Sequence, residues 1–266
     1  MKVIFLTGSH TRHSYIAWRL HKANLLSGLL VEEREEFVPS PHAGLKEVDH
    51  HNFVRHFKDR SESEERFLST PESDSIRGIP VLRVTMEELN SDKVKEWIQK
   101  QNPDVVLSYG VHKINKNILD ILPKYAWNIH GGLSPWYRGN ITMFWPFYFL
   151  QPNFAGMTVH HLTAQLDGGP IVHHSVPELV RGDGIHDVAS RAVIQVAEDL
   201  IQILILLQDG KEINGQPQKN SGKLFTGVDW KPQHLRLVYN HFDNDIVDRF
   251  LDGEFGVQEP PLIKAF

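Results

Sequence analysis

The sequence predicts an α/β fold: a Rossmann-like, mostly parallel sheet with helices on both faces, plus a short C-terminal α/β appendage. Three observations predict it. The runs KVIFLTG (2–8) and DVVLSYG (104–110) are apolar through their centres, as strands covered on both faces are. Segments with helical spacing lie between the strand-like runs, an alternation that builds βαβ units. Both runs stop at a glycine, Gly8 and Gly110.

The strand at 2–8 leads into Arg12 to Ala23, which places Ile16, Ala17 and Leu20 on one helical face. A second strand is expected near Ser27 to Val31. Residues 32–78 are highly charged and punctuated by Pro39, Pro41 and Pro71, and read as an inserted, solvated helix-and-loop segment. GIPVLRV (78–84) returns to strand. SDKVKEWIQKQNPD (91–104) is a helix with Ser91 as its cap and a stop before Pro103. NILDILPKY (117–125) makes a helical turn, AWNIH (126–130) a strand, and GMTVHHL (156–162) another. Residues 185–208 repeat apolar side chains at helical spacing between Gly184 and Gly210. That apolar stripe is core, and part of it is a candidate homodimer face. The expected organisation is a catalytic domain over 1–208 and an appendage over 209–266. The appendage would hold a polar hairpin-like part (Glu212 to Phe225), a helix from about Pro232, and the segment DIVDRFLDG.

Composition narrows the function. At 41% hydrophobic over 266 residues, the chain can bury a sizeable core. No apolar run approaches the roughly 20 residues of a membrane-crossing helix, and the first residues read as a strand rather than a signal peptide. The expected location is cytoplasmic, with no membrane partner. The absence of cysteine excludes disulfides, thiolate catalysis and Cys-based zinc sites. A net charge of -5 argues against a nucleic-acid partner. The histidine pairs at 50–51, 160–161 and 173–174 do not make a metal cluster, because neighbours in a strand face opposite sides. No metal is expected.

The chemistry centres on WNIHGGLSPWYRG (127–139). Asn128 and His130 alternate, so in a strand they project to the same side, at its C-terminal end. Ligands bind at that edge of open α/β sheets. Gly131 and Gly132 keep the space in front of them clear. Farther on, Asp167 sits in a Gly-rich hinge, Asp167-Gly168-Gly169, from which it can reach an imidazole. GSHTRH (8–13) lies between a strand and a helix, where phosphates bind in many α/β folds. His10, Arg12 and His13 there either meet a pyrophosphate or cap the helix. The G-x-G-x-x-G fingerprint is absent.

These residues together resemble the folate-dependent formyltransferases. The resemblance rests on Asn128-Ile-His130, Leu133-Ser-Pro135-Trp-Tyr137-Arg138-Gly139, Gly156-Met-Thr158-Val-His160 and Asp167-Gly-Gly169. It covers roughly 1–8 and 78–208. One departure is Gly132-Leu-Ser, where relatives commonly have Ser-Leu-Leu. The resemblance implies formyl transfer from 10-formyltetrahydrofolate to an amine, without metal or covalent intermediate. Asn128 and a protonated His130 would donate hydrogen bonds to the oxyanion, and Asp167 would hold His130 and aid proton transfer. It also implies a folate wall from Tyr109, Gly110, Lys113, Ile114 and Asn115, opposed by Gln165 and Leu166. The aromatic stretch with Trp136, Tyr137 and Arg138 is expected to contact the acceptor.

The resemblance is strongest to the branch that formylates nucleotide-linked amino sugars, which carries a similar core and short C-terminal elements. The alternatives are a methionyl transfer RNA or glycinamide ribonucleotide acceptor, a hydrolase releasing formate, and a non-catalytic folate-binding module.

Overall fold

The computed structural model describes residues 1–34, 39–71, 75–219 and 222–266. Parts of the 32–78 and 212–225 readings therefore lie outside the described residues. The sheet strands are β1 (Val3–Gly8), β2 (Gly28–Glu32), β3 (Val81–Val84), β4 (Val105–Tyr109), β5 (Tyr125–His130), β7 (Met157–His161) and β8 (Ile171–Ser175). They run in the order β3-β2-β1-β4-β5-β7-β8. The first five are parallel; β7 is antiparallel to β5, and β8 to β7. The mostly parallel, Rossmann-like sheet is as expected.

Strand alternation separates two packing layers. Val3 and Phe5 of β1 face a core shared with α1 (Thr11–Lys22) and α6 (Ile185–Gln208). Ile4 and Leu6 face the other side, against α3 (Asp92–Gln101) and α4 (Lys116–Leu119). Burial on both faces explains why β1 and β4 read as continuous apolar runs. It also brings the ends of β1, β4 and β5 to one edge.

Among its described residues, the 32–78 segment is not solvated throughout. It carries α2 (Glu47–Leu68), a 22-residue helix that buries Asn52, Phe53, His56, Ser63, Glu64 and Leu68. Most of its charges lie on the outer face, while Asp49 and Glu64 are buried, so composition overstated its exposure. Arg236 holds the fully buried Asp49 with two bonds of 2.6 Å, and Asn52 donates to Asn240 at 2.7 Å.

The residues after 209 also depart from expectation. Among the described residues, Glu212 to Phe225 makes no hairpin. Gln216 bridges to Ile171 at the outer edge of β8, and β9 (Lys223–Phe225) pairs in parallel with β6 (Tyr137–Gly139). The polar backbone here satisfies its hydrogen bonds on the edge strand and on a loop, rather than on itself. From Pro232 the chain makes a 3₁₀ turn (Pro232–His234) and a π-helical turn (Leu237–His241), before α7 (Ile246–Leu251). Leu235, Val238, Tyr239, Phe242, Ile246 and Val247 share one cluster with Leu133, Phe144 and Phe147. The short α5 (Trp145–Tyr148) belongs to the same cluster.

Candidate active site

A cavity of about 550 Å³ opens at the C-terminal edges of β1, β4 and β5. Asn128, His130 and Asp167 line it together, and so do Arg12, His13, Tyr109, Gly110 and Leu166. Asn128 and His130 share a face because they are two apart on β5. Asp167 arrives from the β7–β8 loop with a left-handed backbone (φ 45°).

Hydrogen bonds fix each group. Ser108 Oγ donates to Asn128 Oδ1 at 2.7 Å, which leaves the Asn128 Nδ2 as the donor. That amide nitrogen donates to His160 Nε2 at 3.3 Å. His160 Nδ1 donates to the His161 carbonyl at 3.0 Å, which fixes its tautomer. The Asp167 carboxylate accepts from the Gly139 N–H at 3.0 Å. Its two oxygens lie 3.6 Å from His130 Nδ1 and 3.6 Å from His160 Nε2. Gln218 Nε2 donates to the carbonyls of Asp167 and Gly169, at 2.7 and 2.8 Å, and holds the turn.

His130 has protein groups at both ring nitrogens. Its Nε2 donates to the Tyr137 carbonyl at 2.8 Å, and its Nδ1 faces Asp167. In this resting arrangement the Nε2–H points to the Tyr137 carbonyl, and Nδ1 is the nitrogen left to take a proton. Burial lowers its pKa from the ordinary value, although Asp167 and the Tyr137 carbonyl pull the other way. Burial alone would raise Asp167, but His130, His160 and the Gly139 N–H outweigh it and bring it down to about 2. The resting pair is a neutral imidazole beside a carboxylate.

Gly132 has a steric reason. A Cβ there would lie 2.6 Å from the Tyr137 carbonyl oxygen and 2.9 Å from His130 Nε2. Gly110 combines φ 68° with a hypothetical Cβ 2.3 Å from the His13 ring. Its neighbour Tyr109 meets the same ring edge-on at 4.7 Å.

Other expected residues lie elsewhere. The Lys113 carbonyl and Asn115 N–H both bond Asn90, and Ile114 is buried in the α3–α4 layer, so the turn points away from the cavity. Val111 lines it instead. Gln165 is exposed and does not line the cavity. Trp136 packs on Phe154 at 5.7 Å, and Tyr137 stacks on Phe225 at 5.9 Å. Neither ring lines the cavity, nor does Arg138, because this stretch is held in the aromatic cluster; Tyr137 contributes its carbonyl. His10 sits behind the wall, 3.0 Å from Arg12 and stacked on His13.

Sequence reading missed the wall made by α2 and α6. His56, Arg60, Glu64 and Leu68 recur every four residues along α2 and all line the cavity. That spacing was the available signal. His186 and Ser190 face them from α6. Glu64 Oε1 accepts from Arg12 and from Arg60, each at 3.2 Å. Burial and the nearby arginines hold His13 well below its usual pKa, and burial with Arg60 brings His56 to about 3. The wall's positive charge is therefore carried by guanidiniums, Arg12, Arg34 and Arg60, rather than by imidazoles. Among the described residues, no group of three or more His, Asp or Glu could hold a metal ion, and no helix is long and apolar enough to cross a membrane.

The family described as Formyl transferase matches residues 34–204. Three solved structures share the fold at low identity. Phosphoribosylglycinamide formyltransferase from Anaplasma phagocytophilum superposes with a TM-score of 0.56 at 18% identity, over 85% of this chain and 98% of that one. The formyltransferase PseJ from Anoxybacillus kamchatkensis, solved with UDP-4,6-dideoxy-4-formamido-L-AltNAc and tetrahydrofolate, gives 0.52 at 18%, over 92% and 96%. A 4-N formyltransferase from Francisella tularensis gives 0.54 at 14%, over 86% and 77%. With its Asn128–His130–Asp167 cavity and a family match across well over half its length, the chain belongs to the formyl transferase family of folate-dependent enzymes.

Proposed function

We propose that this formyltransferase moves a formyl group from 10-formyltetrahydrofolate to the amino group of a nucleotide-linked amino sugar. One observation carries the reading. A single cavity joins the Asn128–His130–Asp167 cluster to a wall bearing Arg12, Arg34 and Arg60. An acceptor that carries both an amine and a pyrophosphate fits that pairing, because guanidiniums match phosphate oxygens. PseJ, whose structure holds a UDP-linked formamido sugar, matches nearly its whole length here. A net charge of -5 speaks against a transfer RNA acceptor, which needs a basic field.

The folate donor fits the same cavity. Val111, Ile141, Met143 and Leu166 give it apolar lining, and its volume lies in the range of small-molecule sites, about 300–1,000 Å³. The donor supplies an activated formyl carbon. Tyr109, Gly110 and Val111 on one side and Leu166 on the other would hold it. Asn128 Nδ2, oriented by Ser108, donates to the formyl oxygen as negative charge builds there, an effect worth about 3–4 kcal/mol. His130, neutral at rest, takes the proton from the attacking amine on Nδ1. Asp167 stabilises the imidazolium so formed, and the proton then passes to the departing folate nitrogen. The amine nitrogen gains the carbon that the folate nitrogen loses, so atoms and protons balance.

The test incubates the protein with 10-formyltetrahydrofolate, with and without a nucleotide-linked amino sugar, and follows products by mass spectrometry. Gain of one formyl group by the sugar supports the reading. Formate release independent of acceptor indicates a hydrolase, and binding without turnover indicates a module; either overturns it.

A further inference from the structure

The pair His173–His174 takes no part in the formyl-transfer chemistry, yet both side chains are fully buried. They sit on β8, the last strand of the sheet. Its outer edge is covered at two points. Ile171 and Gln216 exchange backbone bonds of 2.8 and 2.7 Å, and the His174 N–H donates to the Ile263 carbonyl at 2.8 Å.

The two rings face opposite sides of the strand. Their partners nevertheless select the same tautomer. His173 Nδ1 accepts the Ala265 N–H at 3.0 Å, and His174 Nδ1 accepts the Ile263 N–H at 2.9 Å. A backbone N–H can only donate, so neither Nδ1 carries a proton and each Nε2 does. His173 Nε2 donates to Asp199 at 3.0 Å; His174 Nε2 donates to the Ser134 carbonyl at 2.8 Å. The Lys264 ammonium donates to the His174 carbonyl at 2.7 Å, and Phe266 stacks on His173 at 5.0 Å. Segment 263–266 is thereby strapped across the strand.

The Ser134 carbonyl matters because Ser134 begins the turn that delivers Tyr137, whose carbonyl accepts from His130 Nε2. The turn is also held by Ser134 N–H to Thr158 Oγ1 at 2.9 Å and Tyr137 N–H to the Leu133 carbonyl at 2.8 Å. We propose that His174 is a positioning residue: the Ile263 N–H on its Nδ1 sets it as the Nε2–H tautomer, and that Nε2–H holds the Ser134 carbonyl and so fixes the loop that keeps His130 in its own Nε2–H tautomer. The functional part rests on the role given to His130 under the proposed function.

The two ring nitrogens can be separated by substitution. Asn at 174 offers an oxygen near the Nδ1 position but no donor toward Ser134. Gln offers an amide N–H near the Nε2 position but no acceptor for Ile263. The readouts are kcat, KM and the imidazole nitrogen NMR signals of His130. His174→Asn is expected to lower kcat about tenfold or more with KM nearly unchanged, and to move the His130 signals away from a single Nε2–H tautomer. His174→Gln is expected to keep kcat within about threefold and the wild-type His130 signals. Equal kcat in the two variants, or wild-type His130 signals in folded His174→Asn, overturns the proposal. If the wild type transfers no formyl group while the signals move in Asn and not in Gln, the positioning role stands and the formyl-transfer reading fails. Should neither variant fold, Ile263→Pro removes the N–H that sets the His174 tautomer, so the ring is no longer held with its proton toward Ser134. Displaced His130 signals are then expected, and unchanged ones overturn the proposal.

Discussion

Replacing Asp167 with Asn removes one charge and little else. Asn can still accept the Gly139 N–H through its side-chain oxygen, a contact now 3.0 Å long. What disappears is the carboxylate 3.6 Å from His130 Nδ1. At an effective dielectric of about 20, a unit charge pair at that distance is worth about 4 to 5 kcal/mol. The pair exists only once His130 has taken a proton, so its loss falls on the reacting state. At about 1.4 kcal/mol per tenfold, kcat should drop by up to about three orders of magnitude. The pH profile should shift as well. His130 acts when unprotonated, and its pKa already lies below the usual value. Wild-type rate should therefore rise with pH through a value below the usual 6.5 and show no falling limb from His130 at higher pH. Asp167 raises that pKa, so Asp167→Asn should move the acid limb to still lower pH. The assay is steady-state formyl transfer from about pH 5 to 9, with melting temperature as the folding control. A kcat within about fivefold of wild type, with an unmoved acid limb, would refute the assigned pairing.

Other changes probe separate parts of the site. Asn128→Ala removes the donor that Ser108 orients and should lower kcat about a hundredfold or more; unchanged turnover in a folded variant would count against the oxyanion role. Gln218→Ala frees the carbonyls of Asp167 and Gly169, and should lower kcat about tenfold while changing the KM of the folate donor little; a pure stability loss would argue against this positioning role. Arg60→Gln should raise the KM for a phosphorylated acceptor about tenfold and leave the folate KM near wild type; equal effects on both would misplace the acceptor wall.

The sheet was legible in the sequence because β1 and β4 are buried on both faces and carry polar side chains, Thr7 and Ser108, only toward their C-terminal ends. Asn128 and His130 were legible for a local reason, the period of two along one strand. Asp167 stood out by its glycines, and Gly169 now shows why: a Cβ there would come within 1.9 Å of the His161 carbonyl oxygen. The α2 wall was hidden because its outer face carries so many charges that the whole segment read as solvated. Its inner stripe, His56 to Leu68, becomes meaningful only once α6 lies opposite. The state of His130 was also beyond the sequence, since it depends on a carbonyl seven residues away that folds back onto the ring. Likewise the polar stretch after 209 gave no sign that Gln218 and β9 brace the two loops of the site.

The most direct measurement is a competition. The protein is given 10-formyltetrahydrofolate and an equimolar mixture of nucleotide-linked amino sugars, glycinamide ribonucleotide and charged initiator transfer RNA, and mass spectrometry identifies which amine gains the formyl group. Formylation of a nucleotide-linked amino sugar, in preference to the others, is the expected result. Formylation of the ribonucleotide or the transfer RNA, with every sugar left unmodified, would contradict it.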